Sequence, residues 1–157
     1  MSAQDFAQIL ASEIGVVKKF IALLQEEQRQ LRENQVDALE TTSVAKSSLA
    51  TELETIGAAR NASLAELGLN ARLDGKAVET WISQQGNPRL LQAWRALQSL
   101  ARDAKSLNEL NGQCIALLSR NNREQLDALT GRQAHGIFYS PDGQPASGGS
   151  FRISDSV

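Results

Sequence analysis

The sequence contains one cysteine, Cys114, and one histidine, His135, the two residue types that form cysteine–histidine catalytic pairs. Such a pair works when the imidazole takes the thiol proton and a third group orients the ring. Cys114 lies in a row of apolar residues at helical spacing, where a thiol behaves as a small hydrophobic group. His135 lies in a segment without helical period, and no third group is evident. We therefore predict no catalytic residue.

Carboxylates are the other groups that could carry chemistry, through a metal ion. Helical bundles hold di-iron sites with Glu-x-x-His motifs on facing helices, and no such motif occurs here. Zinc-ligand spacing, a phosphate-binding loop and a dinucleotide fingerprint are also absent. The pairs Glu26–Glu27 and Glu52/Glu54 are interpreted as solvated surface, with no carboxylate facing inward. We predict no metal, no cofactor and no enzymatic activity.

Composition narrows the class of protein further. The net charge of −2 over 157 residues does not favour nucleic acid or a membrane surface as a partner. Only 4% of residues are aromatic, so the core must be built from leucine and alanine, as in helical bundles and coiled coils. The amino terminus lacks a signal peptide's basic and apolar regions, and no apolar run reaches a membrane span. We expect a cytoplasmic protein without stable membrane insertion.

The longest predicted element is a helix from Asn87 to Gly131, about 65 Å long at 1.5 Å per residue. Asn87 is a candidate N-cap, and Pro88 suits the first helical position because its missing N–H is not needed there. Gly131 suits the left-handed turn that ends many helices. The second half of this helix carries two neighbouring apolar rows, one through Leu107 and one through Ile115.

Two interpretations of the double row remain open. The helix could pack on two neighbours at once, which a three-helix bundle requires and which the sequence alone favours, or the second row could form a groove for a partner helix. Recurrent asparagines in this half are either buried amides that set helix register or polar contacts to a partner. The candidate partner-binding residues are Leu107, Leu110, Asn111, Ile115, Leu118, Asn122, Leu126 and Leu129.

The preceding segments supply the helices against which the long helix packs. Apolar residues at steps of three and four predict a first helix over residues 2–34 and a second over 38–67, N-capped by Asp37. A short connection folds these two helices into an antiparallel hairpin. A short helix over 76–85, capped by Asp74, should bring Trp81 near Trp94. The predicted fold is all-α: an elongated, coiled-coil-like antiparallel bundle of three long helices with one short extra helix.

The composition changes after the long helix, which predicts a helical bundle domain over residues 1–131 and an irregular C-terminal tail over 132–157. The tail is rich in glycine, serine and proline, and its SPDG sequence is a strong turn signal. Three large apolar residues, Ile137, Phe138 and Tyr139, precede that turn. They either fold back on the bundle or form a linear docking motif, and the sequence does not separate these alternatives.

Three parts of the sequence are distinctive together: LLQEEQRQLRENQVDALE, the segment from Lys46 to Leu49, and LNELNGQCIALLSRNNREQLDALTG followed by YSPDG. Together they resemble the FlgN family of flagellar type III export chaperones. The resemblance implies a cytoplasmic chaperone for bacterial flagellum assembly. Such a chaperone binds C-terminal helical segments of hook-associated (hook–filament junction) proteins, prevents their self-association and delivers them to the export gate.

Within the family, the resemblance also implies that the C-terminal helix binds the substrate and that a tail tyrosine docks on the export apparatus. Tyr139, with Phe138 beside it, is the matching position. The alternative is a structural coiled-coil module that self-associates into a homo-oligomer through the C-terminal half of the long helix.

Overall fold

The computed structural model describes residues 2–70 and 74–134, which form four helices and no strand. The described part is therefore all-α, as predicted. It belongs to two compact units, Met1–Leu117 and Leu118–Val157, called unit 1 and unit 2 below. Within the described ranges, no helix combines the length and the apolar character that crossing a membrane requires. The helices are α1 Ala3–Arg32, α2 Val36–Ala65, α3 Gly75–Gln84 and α4 Pro88–Ala134.

Local capping chemistry explains why α1 begins where it does. Ser2 Oγ accepts a hydrogen bond from the Asp5 N–H at 3.1 Å, and Asp5 Oδ2 accepts one from the Ser2 N–H at 3.0 Å. This reciprocal capping box satisfies two backbone donors that the first helical turn leaves free. At the other end, Asn34 takes a left-handed conformation with φ of 54°, which asparagine tolerates better than most residues.

The start of α2 differs from the sequence prediction. The helix begins at Val36 with Gln35 as N-cap, and Gln35 makes no capping hydrogen bond with its side chain. Asp37, the predicted cap, lies in the first turn instead. A carboxylate is also favourable there because of the helix dipole, so the residue type alone did not locate the cap.

The boundaries around α3 follow the prediction, whereas the end of α4 does not. Asp74 Oδ1 accepts a hydrogen bond from the Ala77 N–H at 2.9 Å, and Gly86 takes φ of 66° in the turn before α4. Asn87 Oδ1 accepts from the Arg89 N–H at 3.1 Å where α4 begins. Gly131 does not end α4, which continues to Ala134. A glycine permits a left-handed turn but does not enforce one.

All four helices contribute to the apolar core of unit 1. The Phe6 ring lies 5.3 Å from the Trp81 ring in an edge-to-face arrangement and 6.2 Å from the Trp94 ring, measured between centroids. The two tryptophans, predicted to lie near each other, therefore both pack on Phe6. The core residues are Phe6, Leu10, Val17, Leu24, Leu64, Val78, Ile82, Leu90, Trp94, Leu97 and Ala104.

Polar side chains connect α1 to α2 at three levels. Gln30 pairs with Thr42, Glu27 with Lys46, and Glu13 with Arg60. Residue numbers fall along α1 as they rise along α2, so the two helices run antiparallel, as the hairpin prediction required. Glu27 is 2% exposed and Glu13 is 6% exposed, so the expectations of a solvated Glu27 and of no inward carboxylate were wrong. Helical periodicity assigns charged residues to the surface and cannot recognise those that pair across an interface.

Candidate functional site

Exposed large apolar side chains concentrate on α4. Within the described ranges seven are exposed, and five of these lie on α4. The other two are Val36 and Val44 of α2. Isolated surface leucines are ordinary, but several on one helix indicate an interaction surface. The five on α4 are Leu110, Ile115, Leu117, Leu126 and Leu129.

In unit 1 the predicted residues of α4 divide between core and surface. Leu107 is partly buried and packs against the core cluster. Leu110 and Ile115 are exposed, at 47% and 40%. At 100° per residue they lie on opposite sides of Asn111, which points toward α1. In unit 1, therefore, Leu110 and Ile115 lie on either side of the row of α4 residues that packs against the rest of the unit.

Asn111 differs from the other predicted partner-binding residues because it is fully buried. Its Nδ2 donates to the Leu24 carbonyl oxygen at 2.8 Å and to Glu27 Oε2 at 2.9 Å. A buried amide with two specific acceptors on α1 sets the register of α4 against α1. Of the two sequence interpretations for this residue, the structure supports the structural one. Asn111 is not accessible to a partner.

In unit 2 the described part of α4 has an open apolar face. Every residue from 119 to 131 is exposed, Leu126 and Leu129 at 62% each, and Leu118 is partly buried. Leu118, Asn122, Leu126 and Leu129 follow one another at steps of four, four and three, which places them on one face. This amphipathic face has no partner among the described residues.

Three charged residues of α4 in unit 2, Arg120, Glu124 and Asp127, lie on the other side of the helix. Arg120 and Glu124 form an exposed ion pair with Nε and Oε1 3.5 Å apart. At 100° per residue, this pair and Asp127 lie opposite the apolar face. The separation of charged from apolar residues is the pattern of a helix that binds another helix.

A buried polar cluster around Glu27 was missed by sequence reasoning. Glu27 Oε1 accepts from Lys46 Nζ at 2.7 Å, while Oε2 accepts from Asn111. One turn further along α1, Gln30 Oε1 accepts from Thr42 Oγ1 at 2.8 Å. The available signal was the stretch 41–48 of α2, where Val44 is the one large apolar residue, so the stretch must pack through polar side chains. The cluster joins three helices, and its named contacts are structural.

The second buried carboxylate, Glu13, pairs with Arg60, whose guanidinium carbon lies 5.9 Å from the Trp94 ring centroid. Burial raises the pKa of Glu13, and the charge and hydrogen bond of Arg60 oppose that rise. Together these residues line a cleft of about 310 Å³ that also includes Gln98 and Arg102. The described residues contain no group of three or more candidate metal ligands.

Three residues that the sequence predictions concern lie outside the described ranges. They are Phe138 and Tyr139, predicted to dock on the export gate, and His135. Cys114 is partly buried and free of any disulfide.

Comparison with known protein families gives a match over most of the chain. A family model with the description FlgN protein matches residues 1–147. No curated protein and no solved structure matches the chain. The matched range covers all described residues and most of the sequence.

Proposed function

The chain belongs to the FlgN family of flagellar export chaperones, and we propose a specific role for it on that basis. It binds C-terminal helical segments of hook-associated proteins in the cytoplasm and prevents their premature self-association. It then delivers them to the flagellar type III export gate. No cofactor takes part, because the work is binding and release rather than covalent chemistry.

The observation that carries this proposal is the open apolar face of α4 in unit 2. A substrate helix with its own apolar stripe would cover that face in the helix-in-groove mode. Each large side chain that becomes buried contributes about 1.5–3 kcal/mol before the costs of ordering. A few such anchors therefore support reversible binding. The proposed contact residues are Leu107, Leu110, Ile115, Leu118, Asn122, Leu126 and Leu129, and the buried Asn111 is left out.

Two further elements complete the proposal. Phe138 and Tyr139 dock on the export apparatus, in keeping with the tail tyrosine of the family that the sequence resembles. The helices α1, α2 and α4 form the scaffold as an elongated antiparallel bundle of three long helices. The polar contacts of α1 with α2 and of Asn111 with α1 support that arrangement within unit 1.

The contact surface can be tested by charge substitution with a matched control. Leu126→Glu combined with Leu129→Glu should weaken binding of a hook-associated protein segment at least tenfold, because both leucines would be buried against the substrate helix. The control is Val36→Glu combined with Val44→Glu, two equally exposed apolar residues on α2. Isothermal titration calorimetry measures both affinities.

Both double variants should keep the free energy of unfolding of the native protein, since all four side chains are exposed. Unchanged affinity in the α4 variant would contradict the proposed surface. Equal losses in the α4 and α2 variants would contradict it as well, because the effect would then reflect added charge rather than position.

A further inference from the structure

Helix α2 is anchored in the core only through its second half. Leu64 is fully buried and Leu53 packs against the core cluster. Within residues 36–50 the only buried residue is Thr42, while Val36 and Val44 are 63% and 69% exposed. Because local stability follows buried apolar contact, residues 36–50 lie at the weakly held end of α2.

The same segment has a low intrinsic tendency to remain helical. β-Branched residues lose side-chain freedom in a helix, and serine and threonine compete for backbone hydrogen bonds. The N-cap Gln35 supplies no side-chain hydrogen bond to the first turn, so the start of α2 lacks the stabilisation that α1 and α3 obtain. The residues of low helix propensity are Thr41, Thr42, Ser43, Val44, Ser47 and Ser48.

Two polar contacts hold this segment to α1. They are the hydrogen bond from Thr42 to Gln30 and the ion pair between Lys46 and Glu27. Replacing such polar contacts by contacts with water costs little free energy, because both partners form hydrogen bonds to water on opening. Glu27 also keeps its bond to Asn111 when Lys46 leaves, so opening does not strip the carboxylate of its protein donors.

We propose that residues 36–50 form a latch, which opens from α1 as a unit while the rest of unit 1 stays folded. Thr42 and Lys46 are the residues that hold it closed against α1. Opening uncovers Glu27 and Gln30 of α1, a face with one carboxylate that the closed form hides. The latch is a property of the free protein and does not depend on the proposed chaperone role.

Amide hydrogen exchange tests the latch directly. In the intact protein, amides of residues 36–50 should exchange at least tenfold faster than those of residues 53–65 and of α1, relative to their intrinsic rates. Lys46→Gln should accelerate exchange in residues 36–50 at least a further fivefold and leave residues 53–65 unchanged. The control Lys19→Gln removes an exposed lysine of α1 and should alter neither segment.

A second variant should stabilise the segment, so that slower exchange is tested as well as faster exchange caused by a destabilising substitution. Thr41→Ala, Ser43→Ala and Ser47→Ala together replace exposed residues by the best helix former and should slow exchange in residues 36–50. Uniform protection along α2 in the native protein would overturn the proposal. Equal acceleration of both halves by Lys46→Gln would also overturn it, because that result means global rather than segmental opening.

Discussion

Asn111 places a buried amide at a position of α4 where the apolar stripe would accept a leucine. Its two hydrogen bonds to α1 hold α4 at one longitudinal position, and one of them reaches the buried carboxylate of Glu27. Leucine stripes slide past one another at small cost, whereas a buried donor without its acceptor is expensive. At the scale of single residues, alignment in unit 1 depends on polar groups inside the core.

The first prediction concerns this amide. Asn111→Ala should lower the free energy of unfolding by about 1–3 kcal/mol, because Glu27 loses a donor inside the protein and a small cavity remains. Urea denaturation measures the change. Asn108→Ala, at an exposed position three residues earlier, is the matched control and should stay within about 0.5 kcal/mol of the native value. Equal effects at the two positions would contradict the register role.

Glu13 gives a prediction about pH. Its pKa is raised by burial, so the folded state binds the proton more tightly than the unfolded chain. The corresponding stability is fully present below the ordinary value of 4.5 and is lost as pH rises through the folded pKa. The free energy of unfolding of the native protein relative to Glu13→Gln should therefore fall as pH rises above 4.5. A difference that stays flat or rises over this range would contradict the assignment.

At the scale of elements, capping chemistry predicted where α3 and α4 begin. Asp74, Asn87 and Pro88 act through their nearest neighbours, so a single sequence was sufficient to place these two starts. The start of α2 was misplaced because an acidic residue is favourable both as an N-cap and within the first turn. The buried Glu27 was missed because pairing with Lys46 depends on how α1 and α2 align, which local pattern does not encode.

Two glycines should respond in opposite directions to the same substitution. Gly86→Ala should destabilise by about 1–2 kcal/mol, since its φ of 66° is unfavourable for any residue with a Cβ. Gly112→Ala should stabilise by up to about 1 kcal/mol, because it lies inside α4 and an added Cβ would meet nothing within 4 Å. Thermal and urea unfolding measure both changes. Loss of stability at Gly112 would show that this part of α4 is not helical in solution.

At the scale of the whole molecule, the two units differ in how their side chains are used. Unit 1 buries residues from all four helices, whereas no side chain of residues 118–131 in unit 2 is buried. The sequence predicted the apolar rows of α4 but not their exposure, because exposure depends on which neighbours are present. In the proposed function, this unpartnered face is the surface that a substrate helix covers, since a chaperone needs apolar surface for its substrate.

The same face would also suit a second copy of the chain, so the central claim rests on what covers it. The most direct measurement is the solution mass of the purified protein, alone and mixed with a C-terminal helical segment of a hook-associated protein. Sedimentation equilibrium should give the monomer mass alone and a one-to-one complex in the mixture. A dimer of constant mass at every concentration, with no complex formed, would contradict the chaperone account and favour the self-associating module.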